Sequence, residues 1–539
     1  MRPAGRIWLG NSPRALWASE FQRQRPTLHV PLLRYRRALE KTRAPASRDS
    51  SVASEPGCQQ TVCVPVSRGY NPAMLNYDRE NLCHDPIHGY ISFTSKAELG
   101  SGETAERQII DHPWVQRLRW IHQLQTAWWV YPTAEHTRFP HVIGAMHMGS
   151  RMADAVYDSL RHVCPKSPSR GYVECLLRMA GLLHDVGHGP FGHFFDQHFL
   201  QDYRLTHETL GAVIICQELG DLIRGVRRNP HSQLNADERL DPAQVAWLIQ
   251  RPRPGERPDQ PKWLLFLRSL LSGIYTIDNL DFVLRDAYMS GYSLRAYDLD
   301  RLLHYSVFTD EGLTIQDRGI DALLRFMGVR AELFRSVYFH RTVRAIDLTL
   351  ADLFSESKKL LFPGNPRDHL AEYQKFTEAS LLVDVARWED SADAEQRRLG
   401  RGWQGLLRRE LPWTMVCQRS LVFNEAGAEA GSIFSDAEMV EQRIRRQLAP
   451  ELAEVPFRVD VARALFRPHT PGPALGQNFL FDSARRRVQP LTTHQLFERL
   501  PISQRICRVY ARSQEHASEF AAVLDQLVGG AAVDDLTNL

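Results

Sequence analysis

Apolar residues recur every three or four positions along most of the chain, a spacing that indicates amphipathic helices. Such runs cover residues 109–124, 142–160, 172–184, 206–219, 263–271, 277–288, 320–334 and 345–353. One alternating stretch at 305–315, with Asp-Glu-Gly at its centre, predicts a small β-hairpin. Beyond about residue 355 the periodicity loosens. The pattern therefore predicts a mostly α fold with a small β-hairpin and a mixed α/β C-terminal lobe.

The same pattern divides the chain into three regions. Residues 1–73 mix Arg, Pro and Ser without periodicity, which predicts a disordered leader. Residues 74–354 carry the sustained helical pattern and are expected to form the principal core, and residues 355–539 the mixed lobe. The leader has the Arg-rich, acid-poor composition of a transit peptide, and a natural start at Met74 would explain it equally well. We expect the leader to be dispensable.

The composition is that of an ordinary globular protein. Of 539 residues, 43% are apolar and 24% charged, with a formal net charge of +3. Residues 1–73 hold 12 Arg and Lys against 4 Asp and Glu, so the remaining residues carry a net charge of −5. This acidic body gives no support to binding of nucleic acid, which depends on neutralising phosphates. No apolar run reaches the ~18 residues that span a bilayer, and no secretory signal is evident, so we expect a cytoplasmic protein without membrane contact.

Histidine is concentrated in one part of the chain. Nine of the 21 histidines lie within residues 136–207, where even spacing would place about three. The densest part begins at His184 and Asp185, directly after an apolar helix, and ends at Asp196. A buried carboxylate beside a buried imidazole needs a cation, because removing an unpaired charge from water is costly. The cluster therefore predicts a metal and acid–base site, carried on a loop rich in Gly and Pro.

Seven segments, in the same order as in the family, resemble the HD-domain phosphohydrolases. They are Asp85-Pro-Ile-His-Gly89, Gln116-Arg-Leu-Arg119, Arg138-Phe-Pro-His141, His184-Asp-Val-Gly-His-Gly-Pro-Phe-Gly-His193, Thr206-His-Glu208, Ile277-Asp-Asn-Leu-Asp281 and Tyr338-Phe-His-Arg341. Within that family the chain is similar to the dNTP triphosphohydrolases, both the bacterial dGTP hydrolases and the animal enzymes that join a SAM domain to an HD domain. The resemblance implies an HD-domain helical fold and hydrolysis of a deoxynucleoside triphosphate to deoxynucleoside and tripolyphosphate.

The resemblance also implies one divalent metal ion. Its ligands would be two imidazoles and two carboxylates, namely His141, His184, Asp185 and Asp278. A mixed nitrogen and oxygen set of this kind suits Mn, Fe, Zn, Co or, less well, Mg. The donor set does not choose among these ions.

Catalytic and substrate-binding roles are carried over in the same way. The acid–base and phosphate-contacting group is His188, His193, Asp196 and His207. An imidazole oriented by Asp196 would position the attacking water or protonate the leaving oxygen. Arg138 and Arg330 match positions that grip the phosphate chain. The sugar pocket matches Gln123, Leu124, Asp286 and Tyr338, with Asp286 expected to accept a hydrogen bond from the 3′-hydroxyl and Tyr338 to stack under the deoxyribose.

Four positions depart from the animal relatives. Their phosphate-binding Lys and Tyr are Asn279 and Phe282 here, and two polar positions of their base pocket are Phe334 and Phe339. Each lost charge-assisted hydrogen bond could cost about 1.5–3 kcal/mol. The preference for a triphosphate and the choice of base therefore stay open.

A nucleotide activator also stays open. Asp111, Gln116 and Arg119 match positions that hold an activating guanine nucleotide between subunits of the animal enzymes. Two neighbouring contacts have become Asn81 and His84. We expect a homo-oligomer, as is usual among these relatives.

Three functions are compatible with the sequence. The first is hydrolysis of deoxynucleoside triphosphates. The second is hydrolysis of nucleoside monophosphates or phosphodiesters, favoured if Asn279 and Phe282 abolish the grip on a triphosphate. The third is a non-catalytic scaffold that binds nucleotides or nucleic acid through the Arg-rich runs 397–409 and 485–487. The complete set of metal ligands and acid–base histidines counts against the scaffold.

Overall fold

A computed structural model describes residues 80–529, except residues 98, 252–258, 453 and 468–478. The expected leader, residues 1–73, lies outside the described residues. In the described part, no helix combines the length and the apolar character that a membrane crossing requires.

Helices make up most of the described chain. In chain order they are α1 (Glu106–Ile110), α2 (Pro113–Gln116), α3 (Arg138–Val163), α4 (Arg170–Leu183), α5 (His193–His198), α6 (His207–Gln217), α7 (Gly220–Gly225), α8 (Pro242–Ile249), α9 (Lys262–Arg268), α10 (Ile277–Met289), α11 (Leu299–His304), α12 (Ile320–Leu333), α13 (Arg341–Leu361), α14 (Leu370–Lys375), α15 (Glu378–Ala386), α16 (Ala394–Leu407), α17 (Ala426–Ala430), α18 (Ala437–Gln447), α19 (Gln495–Glu498) and α20 (Ala517–Val528). A π-helical turn, Phe334–Tyr338, joins α12 to α13.

The described strands form three small sheets. They are β1 (Glu80–Asp85), β2 (Gly89–Thr94), β3 (Ser306–Thr309), β4 (Gly312–Gln316), β5 (Thr414–Phe423), β6 (Phe457–Leu465), β7 (Phe479–Asp482), β8 (Arg487–Pro490) and β9 (Ser503–Ala511). The strand orders are β1-β2, β3-β4-β7-β8 and β5-β9-β6. All pairs are antiparallel except β4 with β7. The mostly α fold, the hairpin at 305–315 and the mixed C-terminal lobe are thereby confirmed.

The centre of the main core is α4, which is buried along its whole length from residue 171 to residue 183. It packs against α3 at two glycines that permit close approach. A Cβ atom at Gly149 would lie 2.8 Å from the Leu177 carbonyl carbon, and one at Gly181 would lie 2.5 Å from the Ala145 oxygen. Both would clash with backbone, so the contact between the helices requires glycine. This packing holds the end of α4, and the residues that follow it, against α3.

The start of α10 is fixed by a reciprocal cap. Thr276 accepts a hydrogen bond from the Asn279 backbone N–H at 3.2 Å, and the Asn279 side chain accepts one from the Thr276 N–H at 2.6 Å. Such a capping box satisfies two backbone donors at the helix start. The cap fixes the first turn of α10, whose Asp278 and Asp281 both approach α3 at His141.

The C-terminal sheet β5-β9-β6 is covered on both faces. Helices α18 and α20 pack on one face in a separate apolar cluster, and α13 contributes Ala345 to a small cluster with Trp413 and Tyr510. The division predicted at residue 354 falls within α13, and Trp403 of α16 is buried in the main core. The domain boundaries stay a prediction.

Candidate metal-dependent active site

A cavity of about 570 Å³ contains most of the predicted site residues in its wall. Eleven of the fourteen line it: Gln123, Leu124, Arg138, His184, Asp185, His193, His207, Asp278, Asp286, Arg330 and Tyr338. The other three, His141, His188 and Asp196, lie directly behind this wall in contact with members of it. The structure thus brings all the sequence-predicted site residues to one place.

Three predicted metal ligands converge most closely. The Nε2 atoms of His141 and His184 lie 3.2 Å apart. Asp278 Oδ1 lies 3.2 Å from the first nitrogen and 3.5 Å from the second. Helices α3 and α10 supply His141 and Asp278, and His184 caps the end of α4. The three donor atoms therefore meet where three packed helices cross.

The hydrogen bonds of the two imidazoles determine which ring nitrogen carries the proton and which directs a lone pair towards the meeting point of the three donor atoms. His141 Nδ1 donates to Asp281 Oδ2 at 2.7 Å, and His184 Nδ1 donates to the Gly181 carbonyl at 2.8 Å. Because carboxylates and carbonyls only accept, each Nδ1 carries the proton and each Nε2 is free to bind a metal. Two lone pairs and a carboxylate that face one another are stabilised by a shared cation. The donor set fits a divalent ion.

The electrostatics of His141 agree with a cation at this point. Burial lowers the pKa of His141, but the hydrogen bonds and charges of Asp278 and Asp281 outweigh burial and raise it to about 10. The partial burial of Asp278 would likewise raise its pKa, but the neighbouring imidazoles of His141 and His184 hold it below its usual range. The surroundings of these groups therefore favour positive charge.

Asp281 is a buried support that the sequence predictions did not include. Its side chain is fully buried and accepts hydrogen bonds from His88 Nε2 at 2.7 Å and from Arg285 at 2.8 and 2.9 Å. Burial would raise the pKa of Asp281, but Arg285 holds it well below its usual range. A Cβ atom at Gly144 would lie 1.9 Å from Asp281 Oδ1. The carboxylate therefore needs a glycine on α3 to reach His141.

Asp185 lies beside the three predicted metal ligands and forms a salt bridge with Arg138. Its Oδ2 accepts a 2.6 Å hydrogen bond from Arg138 Nη1, while its Oδ1 lies 3.4 Å from His184 Nε2 and 3.3 Å from His188 Nε2. Burial would raise the pKa of Asp185, but the Arg138 guanidinium and then His184 hold it well below its usual range. Asp185 thus connects the metal ligands to the acid–base histidines.

The predicted acid–base residues form a second compact group. One donor atom from each of His188, His193, Asp196 and His207 lies within 4.8 Å of the others. The rings of His188 and His207 stack at 3.7 Å, and Asp196 accepts a hydrogen bond from His207 Nδ1. Within the described residues, neither ring nitrogen of the buried His188 has a hydrogen-bond partner. The Asp196 contact leaves His207 Nε2 free to move a proton.

The predicted sugar contacts lie further along the cavity wall. Tyr338 donates from its hydroxyl to Asp286 Oδ2 at 2.5 Å, and His136 Nε2 lies 2.8 Å from Asp286 Oδ1. Gln123 Oε1 is buried without a hydrogen-bond partner among the described residues. Tyr338 ends the π-helical turn, a feature frequently found at functional sites. This wall therefore offers polar groups whose hydrogen-bonding capacity is incompletely used.

Two departures from the animal relatives have clear local consequences. Asn279 Nδ2 donates to the Ile274 carbonyl at 3.3 Å, and its Oδ1 is used in the α10 cap, so this side chain serves the helix start. Phe282 lies edge-on to His141 with ring centroids 6.5 Å apart. These positions supply no cation to the cavity.

The residues that match the activator positions lie outside the cavity wall. Arg119 Nε donates to Gln116 Oε1 at 2.8 Å, and Arg107 Nε donates to Asp111 at 3.2 Å. Arg107 also donates to Asn81 at 2.8 Å. An activator site stays a prediction.

The wall also contains polar residues that had no role in the sequence predictions, among them Gln125, Arg344 and Asp347. Gln125 directly follows Gln123 and Leu124, and this position next to two predicted sugar contacts is the sequence feature that could have indicated it. Arg344 and Asp347 are polar positions on the inward face of α13, a pattern that single-chain periodicity does not distinguish from a half-buried ion pair.

Comparison with known proteins shows what parts of the chain are similar to. Residues 138–259 match the HD domain. The uncharacterized protein YwfO of Bacillus subtilis is 28% identical over 58% of this chain and 68% of its own length. The deoxynucleoside triphosphate triphosphohydrolase SAMHD1 is 29% identical in Bos taurus, over 53% of this chain and 50% of that protein, and 23% identical in Homo sapiens, over 83% and 73%. The match to the bovine protein thus spans half of its length.

A solved structure shares the fold. The crystal structure of a hypothetical protein from Aquifex aeolicus superposes with a TM-score of 0.58 at 21% identity, covering 83% of this chain and all of that chain. The matched HD segment begins at Arg138, the first residue of α3, and contains His141, His184 and Asp185. Residues 138–259 therefore match the HD domain within a longer helical body, and the chain resembles a deoxynucleoside triphosphate triphosphohydrolase.

Proposed function

We propose that the protein is a metal-dependent HD-domain phosphohydrolase that converts deoxynucleoside triphosphates to deoxynucleoside and tripolyphosphate. The observation that carries the proposal is the convergence of two imidazole lone pairs and one carboxylate on a cavity that also contains arginines and a Tyr–Asp pair. The similarity to SAMHD1 supports this class of substrate.

His141, His184 and Asp278 would hold a divalent ion, with Asp185 beside them. Such an ion polarises a phosphoryl oxygen and makes a bound water more acidic. Asp281 and Gly181 orient the two imidazoles, and Arg138 orients Asp185. The chain itself therefore fixes the direction of each donor atom before any ligand arrives.

The side chains around the ligands perform binding and proton transfer. Arg138 and Arg330 would contact the phosphate chain, where a guanidinium donates to oxygens in pairs. His207, held through Nδ1 by Asp196, would give a proton from Nε2 to the oxygen that leaves with the nucleoside. Asp286 would accept a hydrogen bond from the 3′-hydroxyl, with Tyr338 beneath the sugar.

A second candidate is hydrolysis of nucleoside monophosphates or phosphodiesters. One observation favours it: Asn279 is committed to the α10 cap and Phe282 has no polar group, so neither position donates to a phosphate as the matching Lys and Tyr of the animal relatives do. The scaffold hypothesis has weaker support. The Arg-rich run 397–409 lies largely on α16, where Arg398 pairs with Glu395 and Glu356.

The decisive experiment is a product analysis. The full chain is incubated with Mn²⁺ or Mg²⁺ and a panel of dNTPs, NTPs, dNMPs and cyclic nucleotides, and the products are separated by anion exchange. We expect deoxynucleoside and intact tripolyphosphate as first products from dNTPs. A first product of dNMP or dNDP would contradict the proposal, and turnover of dNMPs or cyclic nucleotides alone would establish the second candidate.

A further inference from the structure

The cavity continues past the sugar contacts to a polar end built by α13. Ring contacts mark the path: Tyr338 to Phe334 at 4.7 Å between centroids, Phe334 to Phe339 at 5.7 Å, and Phe339 to the Arg344 guanidinium carbon at 6.0 Å. All four side chains line the cavity. If Asp286 and Tyr338 receive the sugar, the base of a nucleotide extends towards Arg344.

Arg344 is clamped between two carboxylates. Its Nη1 donates to Asp347 Oδ2 at 2.9 Å, and its Nε and Nη2 donate to Asp460 Oδ1 of β6 at 3.0 and 2.6 Å. A guanidinium has five N–H groups, so one on each terminal nitrogen has no partner among the described residues. The side chain is 26% exposed. Arg344 therefore offers fixed donors to the cavity.

Gln125 presents an acceptor beside these donors. Its Nε2 donates to Asp347 Oδ1 at 3.0 Å, and because a carboxylate only accepts, this bond determines which end of the amide is nitrogen. Gln125 Oε1 has no hydrogen-bond partner within the described part of the chain. The residue has a φ of 53°, which is uncommon outside glycine and is a feature that clusters at functional sites.

The resulting order, donors on Arg344 and an acceptor on Gln125, is complementary to one class of base. Guanine and thymine present a carbonyl oxygen next to a ring N–H on their pairing edges. Adenine and cytosine present the reverse, an amino group next to a bare ring nitrogen. The Gln125 amide and the Arg344 guanidinium both donate to the Asp347 carboxylate and therefore lie side by side. Phe334 and Phe339 add apolar surface for the ring.

We infer that Arg344 and Gln125 select bases whose pairing edge places a carbonyl oxygen next to a ring N–H, so that dGTP and dTTP are preferred to dATP and dCTP. The inference rests on the proposed function, since it takes the base of a deoxynucleoside triphosphate as the occupant. Asp460 is a positioning residue: it contacts Arg344 and holds the guanidinium towards the cavity.

The first test compares kcat/KM for the four dNTPs. One matched or mismatched hydrogen bond to a charged group corresponds to a factor of about ten to one hundred, so dGTP and dTTP should exceed dATP and dCTP by that factor. Arg344→Gln should reduce this ratio about tenfold. Asp460→Asn should raise KM for dGTP and dTTP with little change in kcat, because it releases the guanidinium without touching substrate.

A second variant guards against loss of folding in Arg344→Gln. Gln125→Gly removes the acceptor at a position where the positive φ suits glycine, and it should also reduce the ratio. Arg325→Gln is the matched control, because Arg325 lies exposed on α12 outside the cavity wall and loses the same charge. The control should leave the ratio unchanged.

Binding separates the inference from the proposed function. Each dNTP is titrated calorimetrically into the full chain after treatment with EDTA, so that no turnover is needed. Preferred binding of dGTP and dTTP in this titration, together with no hydrolysis of any dNTP in the separate assay with Mn²⁺ or Mg²⁺, would support the inference and overturn the triphosphohydrolase proposal. Equal binding of all four, no binding of any, or a ratio unaffected by both Arg344→Gln and Gln125→Gly would overturn the inference.

Discussion

Asp281 orients His141 through a 2.7 Å hydrogen bond from Nδ1 to Oδ2. The carboxylate that does this is itself fixed by two hydrogen bonds from Arg285, whose Nη1 also donates to Asp85 at 2.8 Å. The orientation of one proposed metal ligand therefore depends on an ion network that reaches the β1–β2 hairpin.

Replacement of Asp281 by Asn should weaken metal binding. The substitution removes the negative charge that fixes the His141 proton, and loss of such a support typically costs ten- to a hundredfold in metal affinity or activity. Titration with Mn²⁺, followed by elemental analysis of the protein, measures the effect. Asp158→Asn, an exposed position on α3, is the control. Unchanged affinity in Asp281→Asn would refute the orienting role.

Asp185 and Asp278 should differ in their effect on stability. Asp185→Ala leaves the buried Arg138 without its 2.6 Å partner and should lower the free energy of unfolding by about 3–5 kcal/mol. The Asp278 side chain is 39% exposed, so Asp278→Ala should cost much less. Both variants should lose bound metal. Denaturant unfolding measures the stability of the two variants, and elemental analysis measures their bound metal. Equal losses of stability would contradict the role of Asp185 as the buried partner of Arg138.

Arg330 should matter for the length of the phosphate chain. It lines the cavity, and one of its nitrogens donates to the Ile274 carbonyl at 3.3 Å. Arg330→Ala should reduce kcat/KM for a dNTP by about tenfold or more, through loss of charge-assisted hydrogen bonds, and should affect a dNMP far less. Steady-state kinetics on both substrates test this. A similar loss for both would point to a structural role.

Gly144 should tolerate no side chain. The Cβ atom of Gly144→Ala would collide with Asp281, whereas Gly328 of α12 has open space at the same atom. Gly144→Ala should therefore destabilise the fold and displace Asp281. Gly328→Ala should stabilise it by roughly 0.5–1 kcal/mol, the usual gain within a helix. Thermal unfolding of the two variants gives the comparison, and a stable, metal-binding Gly144→Ala protein would contradict it.

Glu174 should contribute to loss of stability in acid. Burial raises the pKa of Glu174, but hydrogen bonds from His231 and Ser232 lower it below its ordinary value of 4.5. A depressed folded-state pKa means that the contribution is present above the unfolded pKa and is lost as pH falls through the folded value. Unfolding free energies between pH 6 and roughly 3 should therefore fall less steeply in Glu174→Gln. If the unfolding free energy of Glu174→Gln depended on pH as steeply as that of the unmodified protein, Glu174 would not contribute to the loss of stability in acid.

Local patterns predicted helices well and long-range polar partners poorly. The runs that contain His184 and Asp278, and the run that begins directly after His141, correspond to the end of α4, α10 and α3, because buried helices require periodic apolar residues. The β1–β2 hairpin was not predicted, since Leu82 and Tyr90 are exposed apolar residues that obscure the alternation.

Long-range partners leave little local signal. Arg344 and Asp460 are 116 residues apart, and only the packing of β6 near α13 brings them together. Asp281 follows Asp278 by three residues, a spacing that any amphipathic helix contains. A metal ligand can be predicted from the motif that contains it and from the order of the motifs along the chain. The residues that hold the ligand in place depend on how distant elements pack, which the sequence does not show.

One helix carries both ends of the proposed site. Asp278 at the start of α10 faces the metal ligands, Asp281 and Arg285 lie behind them, and Asp286 near its end faces the sugar wall. Each residue of an α-helix turns the chain by about 100° and advances it by about 1.5 Å. An insertion or deletion of one residue between Asp281 and Asp286 would swing the sugar contact away from the reaction centre. The register of α10 therefore sets the spacing between the proposed metal ligands and the sugar contacts.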